Sequence, residues 1–206
     1  MSKHEQTDTS GAPQEGAKVK VRDRIFDTAC ELFYQHGIRC VGVDAITTEA
    51  GTNKMSFYRS FASKDELVAE YLREQERLHW QWWDEVVEPF AGDPRRQIEA
   101  LFDAYVSKLR KKDKCGCAFV NAAVEIREPD HPALAVVHGY KAEMRHRLRG
   151  MAKAMGVADP AALGDGLVLL IEGSAMSRLA FVCREGPFVN AARAAKTLIE
   201  AHLAAS

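Results

Sequence analysis

Lys54, Met55, Ser56, Tyr58 and Arg59 stand close together around Phe57. Wound as a short helix with Phe57 inward, this segment turns a cationic, hydroxylic and aromatic face outward. Lysine and arginine donate to guanine O6 and N7, and hydroxyls reach phosphate or base edges. Such a face suits a DNA major groove. Asn53 precedes the segment as an N-cap. Lys64 sits at the start of the next helix, where its charge and the free backbone N–H groups favour a phosphate.

Other side chains suggest other chemistry. Glu125 and Glu172 lie in apolar helical runs, AAVEI and LLIEG. A buried carboxylate needs a partner, which is an arginine, histidine, asparagine or backbone group of the same chain, or a ligand cation. Cys115 and Cys117 flank a glycine beside Lys111, Lys112 and Lys114. Cations lower a thiol pKa, so a redox-sensing regulator acting through Cys115 and Cys117 is one alternative. No second cysteine pair completes a zinc set, and His131, His138 and His146 do not make one either. The expectation is no metal and no cofactor. There is no nucleophile–base constellation at readable spacing and no glycine-rich phosphate loop. No catalytic residue is assigned, and the chain is read as no enzyme. From other classes, a small helical enzyme using Cys117, Glu125 or Glu172, or a ligand-binding protein with a non-functional head, stand as alternatives. His79, Trp80, Trp82 and Trp83 follow one another on a long helix, as core or as an aromatic pocket wall.

The elements that position these residues follow from a chain of 206 residues, 47% hydrophobic and 28% charged, with formal net charge −1. That composition belongs to a globular protein and excludes a wholly disordered one. The near-neutral total hides a basic head: residues 18–64 carry eight Lys/Arg against five Asp/Glu. A basic head on a near-neutral body leaves nucleic acid as a partner. Five cysteines, an odd number, argue against a disulfide framework. No apolar run spans a bilayer, since Gly166 to Ile171 is broken by Glu172, and the N-terminus has no signal-peptide stretch. The expected location is cytoplasmic, with no membrane partner.

Residues 1–18 are polar and read as a disordered tail. From Val19 onward the apolar spacing is helical. Val21, Ile25, Ala29, Leu32 and Phe33 share one face, and Gly37 ends that helix. Two short helices follow, Val43 to Ala50 and Lys54 to Ser60, with Gly51 in the turn. Ser63 and Glu66 form a capping box that opens a long helix to about Val87. Helices are expected from Pro94 to Leu109, Cys117 to Ile126, His131 to Met155, Asp159 to about Arg184 and Val189 to Ala204. No segment alternates with period two. The fold class is all-α, about nine helices: a three-helix helix-turn-helix head over 19–66 and a helical body over 67–206.

Val43-Asp-Ala-Ile46-Thr-Thr-Glu-Ala50-Gly51-Thr-Asn-Lys54-Met-Ser-Phe57-Tyr58-Arg-Ser-Phe61-Ala-Ser63-Lys64-Asp-Glu-Leu67 resembles the DNA-binding head of the TetR family of bacterial regulators. Ala-Gly, Phe-Tyr, Phe and Ser-Lys-x-x-Leu fall at that family's spacing, over Val21 to Leu72. The resemblance implies a homodimeric, ligand-responsive transcription repressor on a palindromic double-stranded DNA operator, with an unknown small-molecule effector. The DNA contacts carried over are Thr48, Lys54, Met55, Ser56, Tyr58, Arg59 and Lys64. Gly42 departs from the family's usual Thr or Ser, Thr47 from Ala, Met55 from Gly, and Ser60 from an aromatic or His. Gly116 to Glu125, Asp130-His-Pro132 and Gly156-x-x-Asp159-Pro160 are similar to the ligand domain of one subset of the family.

In the body, the expected effector pocket uses Trp83, Phe102, Tyr105, Phe119, Glu125, His138, Glu172 and Met176. Leu163 to Cys183 is apolar on most of its circumference, so it is buried on more than one side. The last helix carries a stripe of small residues. A two-fold four-helix interface is expected there, through Leu167, Leu170, Ser174, Arg178, Ala192, Ala195 and Ile199.

Overall fold

The computed structural model describes residues 20–111, 116–181 and 186–205. Among them are nine α-helices and no strand: α1 (Val21–His36), α2 (Val43–Glu49), α3 (Lys54–Ser60), α4 (Lys64–Val87), α5 (Pro94–Leu109), α6 (Ala118–Glu125), α7 (Pro132–Ala154), α8 (Pro160–Ala180) and α9 (Ala191–Ala204). Short 3₁₀ turns, Glu88–Phe90 and Pro187–Asn190, precede α5 and α9. The chain is all-α with an N-terminal helix-turn-helix. The tail, residues 1–18, lies outside the described residues, as do Cys115 and Cys183.

The helix ends follow local chemistry. Asn53 Oδ1 accepts from Ser56 N at 3.0 Å, Asp93 Oδ1 from Arg96 N at 3.0 Å, and Asp159 Oδ1 from Ala162 N at 2.9 Å. Each such cap contributes about 1 kcal/mol. Ser63 Oγ accepts from Glu66 N at 3.1 Å. Only this half of the expected capping box forms among the described residues; the Glu66 side chain is exposed to solvent. Gly37 has φ +85° and ψ 153°, a region essentially confined to glycine. Two expected boundaries move: α9 begins at Ala191 because Val189 lies in the 3₁₀ turn before it, and α8 ends early. Helix α8 stops at Ala180, short of Arg184, and Phe181 turns extended so that Gly186 packs against its Cβ.

Two apolar cores hold the helices. The first gathers Ile25, Ala29 and Phe33 of α1 with Ile46, Phe57 and Phe61 of the helix-turn-helix. It continues into Leu67, Val68, Tyr71 and Leu72 of α4, Phe119 and Ala122 of α6, and Val137 and Tyr140 of α7. The apolar packing therefore does not part at residue 66. The second joins Trp83, Ile98, Leu101 and Phe102 to Met144, Leu148, Leu163, Leu167, Ala195 and Ile199. Helices α7 and α8 pack along each other, α4 lies on α7, and α5 lies on α9. Arg22 fastens α1 to α4 by two bonds to the Glu70 carboxylate, at 2.6 and 2.7 Å. No helix among the described residues is long and apolar enough to cross a membrane.

Candidate functional site

Helices α2 and α3 meet at a tight turn. Gly51 takes φ +61°, which a glycine adopts at little cost. Thr52 N donates to Thr47 O at 2.8 Å across the turn. Thr47 is 4% exposed, and its hydroxyl donates to Val43 O at 3.0 Å. A hydroxyl so placed can be buried without an unsatisfied donor. Ile46 and Phe57 are fully buried, which fixes the opposite face of α3 outward.

That outward face carries Lys54, Met55, Tyr58 and Arg59, with Met55 76% and Tyr58 58% exposed. Thr48 is exposed on α2. Lys54 Nζ pairs with Asp44 Oδ1 at 2.8 Å, with both side chains open to water. Such a pair is screened by salt and easily exchanged for a phosphate or a base.

Two residues expected to touch DNA are placed otherwise. Ser56 is buried at 8% exposure, and its Oγ accepts from Arg59 Nη2 at 3.0 Å. It neighbours Phe57 on the inward side of a seven-residue helix, so it orients Arg59 rather than presenting a hydroxyl. Lys64 is half-buried and its Nζ donates to Ile38 O at 2.6 Å. Burial lowers its pKa. It ties the start of α4 to the turn after α1.

The same turn is held from the body. Arg39 N donates to Glu125 Oε2 at 2.9 Å, and Arg39 Nη1 donates to Glu125 O at 3.3 Å. Glu125 is thus a junction residue lining a cleft with Ile38, Arg39, Lys64 and His131. It does not stand in the expected pocket with the aromatics. Its partner is a backbone N–H, out of reach of a periodicity argument.

A cavity of about 700 Å³ lies between α1, α4, α5, α7 and the start of α6. Tyr105 and Phe119 line it as expected pocket residues. With them stand Cys30, Tyr34, Gln75, His79, Lys108, Cys117 and Tyr140. Trp83 and Phe102 line only a narrow apolar crevice behind it, shared with His79 and Tyr105. The remaining expected pocket residues lie elsewhere. His138 is exposed, Met176 is 43% exposed, and Glu172 is bonded to Lys141. Cys30 and Tyr34 are four residues apart, beside the Ile25–Ala29–Phe33 stripe; that second stripe was the available signal for a wall supplied by α1. Burial pushes the Cys30 thiol up to about 12 and holds the His79 imidazole down at about 3. Among the described residues no group of His, Cys, Asp and Glu could hold a metal ion.

The expected interface residues divide. Leu167, Ala195 and Ile199 are fully buried within the chain, and Ser174 is 5% exposed. These belong to its own core, not to an outer face. Arg178 Nε donates to Leu109 O at 3.0 Å, an internal tie. Leu170 and Ala192 keep partial exposure. The face that α8 leaves open is Leu169, at 71% exposure, with Gly173 and Met176. It borders a groove shared with Ala191 and Ala194 of α9.

Residues 25–71 match the family model of bacterial regulatory proteins, tetR family. A TetR-family transcriptional regulator from Streptomyces coelicolor is 27% identical, over 90% of this chain and 95% of its own, with TM-score 0.77. A tetR-type transcriptional regulator from Streptomyces avermitilis is 28% identical, over 89% and 98%, with TM-score 0.76. The reduced form of Escherichia coli NemR shares the fold at 18% identity, over 86% and 97%, with TM-score 0.73. No curated protein matches the chain.

Proposed function

We propose that this chain, whose head over residues 25–71 is that of the bacterial regulatory proteins of the tetR family, is a dimeric repressor released from its operator by a small molecule. The observation that carries the DNA reading is α3 itself. Its apolar side is consumed by Ile46, Phe57 and Phe61, and its free side offers Lys54, Met55, Tyr58 and Arg59.

Two such helices must enter major grooves about 34 Å apart. A two-fold dimer meets that spacing and calls for a palindromic operator. The exposed apolar side of α8, centred on Leu169 and Met176, and the small-residue side of α9 supply the surface for it. In this reading the head spans 19–66 and the body 67–206. Lys54 and Arg59 contact bases and phosphates, while Thr48, Met55 and Tyr58 complete the surface.

The effector site is the cavity of about 700 Å³. Helix α6 supports its coupling to the head. Cys117, Ala118 and Phe119 at one end line the cavity, and Glu125 at the other end holds the turn at Arg39. Eight residues of helix are a rod of about 12 Å, so a shift at the cavity moves the turn. A ligand that favours one position of α6 therefore changes DNA affinity, and DNA changes ligand affinity by the same factor.

The test is fluorescence anisotropy with DNA from upstream of the protein's own gene, beside scrambled DNA, across a salt titration. Sequence-preferring binding that weakens steeply with salt is expected. Equal, weak binding to both DNAs would overturn the repressor reading for that site.

A further inference from the structure

We infer that the cavity between α1, α4, α5 and α7 is shaped for a neutral, hydroxyl-bearing aromatic molecule anchored on His79. This rests on the reading that the cavity holds the effector, and it names the chemistry of that effector.

The size is right for a small molecule: about 700 Å³, within the usual range of about 300–1,000 Å³. The wall is aromatic. Phe119 and Tyr140 stack with ring centres 3.7 Å apart and planes 9° apart. His79 meets Tyr140 edge-on at 5.0 Å. Planar rings extend such an array by offset or edge contacts.

Much of the described lining of the cavity is polar without charge. Tyr34, Tyr105, Tyr140 and His79 all line it. Burial keeps His79 neutral and lifts Tyr105 and Tyr140 well above the ordinary phenol range. The charged side chains of the lining are Glu31 and Lys108, of opposite sign. Lys108 Nζ already lies 4.7 Å from the Trp82 ring centre. Lys141 and Arg147 also act on His79, but each is paired with a carboxylate, Glu172 and Glu143. An ionised ligand would therefore lose its hydration among described charges that largely balance.

His79 supplies the anchor. Its Nε2 is buried and has no hydrogen-bond partner among the described residues. Native proteins leave few such groups, and each calls for a reason. The ring lies in the partition between the cavity and the apolar crevice behind it. The ring packs against Trp80, Trp82, Trp83 and Tyr140, so Nε2 meets a ligand in the cavity only when the ring turns about χ2, a soft torsion. A hydroxyl both donates and accepts, and so satisfies either tautomer of a neutral imidazole. A carboxylate could only accept and would bring its charge with it.

The experiment is equilibrium dialysis of the full chain against 1-naphthol, naphthalene and 1-naphthoate. 1-Naphthol should bind about tenfold more tightly than either relative, the equivalent of one hydrogen bond. His79→Phe keeps the aromatic edge and removes the nitrogen. If its melting curve shows it folded, its preference for naphthol over naphthalene should vanish. The comparison of the three probes on the unaltered chain stands even if that variant does not fold. Equal binding of the three, tightest binding of naphthoate, no binding of naphthol up to its solubility, or a preference that survives His79→Phe would each overturn the inference. Operator anisotropy on the same samples separates the two readings. Lost DNA binding with naphthol selectivity intact sinks the repressor, and the reverse sinks only the ligand chemistry.

Discussion

Glu125, the last residue of α6, accepts the backbone N–H of Arg39 at 2.9 Å, across 86 residues of sequence. Its two carboxylate oxygens also lie 3.0 Å from where a β-carbon would stand on Gly37. The turn that launches the helix-turn-helix is thus held by a side chain of the body. Lys64 grips the neighbouring carbonyl of Ile38 from α4. Anything that moves α6 relative to α4 acts on this one turn from both sides.

Cutting that tie has a defined consequence. Glu125→Ala should lower stability by about 1 kcal/mol, the usual worth of one hydrogen bond. Gly37→Ala should be worse, by about 1–3 kcal/mol, because φ +85° with ψ 153° is a conformation for glycine. Urea midpoints read both. Glu125→Ala should also shrink the effect of an effector on operator affinity; an undiminished effect would remove α6 from the coupling.

On α3 the proposed DNA contacts can be altered without disturbing the fold. Lys54→Ala and Tyr58→Ala alter exposed groups, so urea midpoints should hold within about 0.5 kcal/mol. Operator affinity should fall about tenfold or more for Lys54→Ala, in the range of a lost base contact. Unchanged anisotropy curves would exclude this face from the DNA contact.

Phe57→Ala inverts the pattern. Phe57 is fully buried between α1, α2 and α3, and its truncation should cost about 3–5 kcal/mol. DNA binding should disappear, and because the core around Phe57 runs on into α4, α6 and α7, the loss should show as a lower urea midpoint by circular dichroism.

The open side of α8 predicts the assembly. Leu169→Glu places a charge on a residue 71% exposed in the single chain. Sedimentation should shift from dimer to monomer with helicity intact, and operator affinity should drop with it. A dimer that survives Leu169→Glu and Met176→Glu together would put the interface elsewhere.

His79 gives a pH dependence of known sign. Its folded pKa lies at about 3 against an ordinary 6.5. Below pH 6.5 the unfolded chain binds a proton that the folded chain refuses, so stability falls with falling pH. The contribution is complete above about 6.5 and is lost progressively down to about 3. Subtracting the stability profile of His79→Phe from that of the unaltered chain should leave a difference confined to that window. A flat difference would mean the imidazole is solvated.

Much of this was legible in the sequence, wherever the cause was local. Helical spacing identified α1, Gly51 placed the turn, Asn53 and Ser63 marked helix starts, and the Phe57–Phe61 spacing gave the inward side of α3. These features depend on a few neighbouring residues and a fixed helical period. Elsewhere the sequence held no deciding signal. Helix α8 is apolar nearly all round, so its pattern cannot say which side meets α7 and α9. Packing buried Leu167 and left Leu169 outside. Ser56 and Lys64 have side chains suited to DNA, yet their nearest partners are Arg59 and the Ile38 carbonyl. Glu125 was a carboxylate in need of a partner, and only the fold chose the Arg39 amide. The residue types and the 3.6-residue period, set by covalent geometry and near-neighbour forces, determined the helices, the class and the exposed face of α3. The cavity beside α6, the open side of α8 and the link between body and head depend on which distant surfaces meet, and tertiary packing alone decided them.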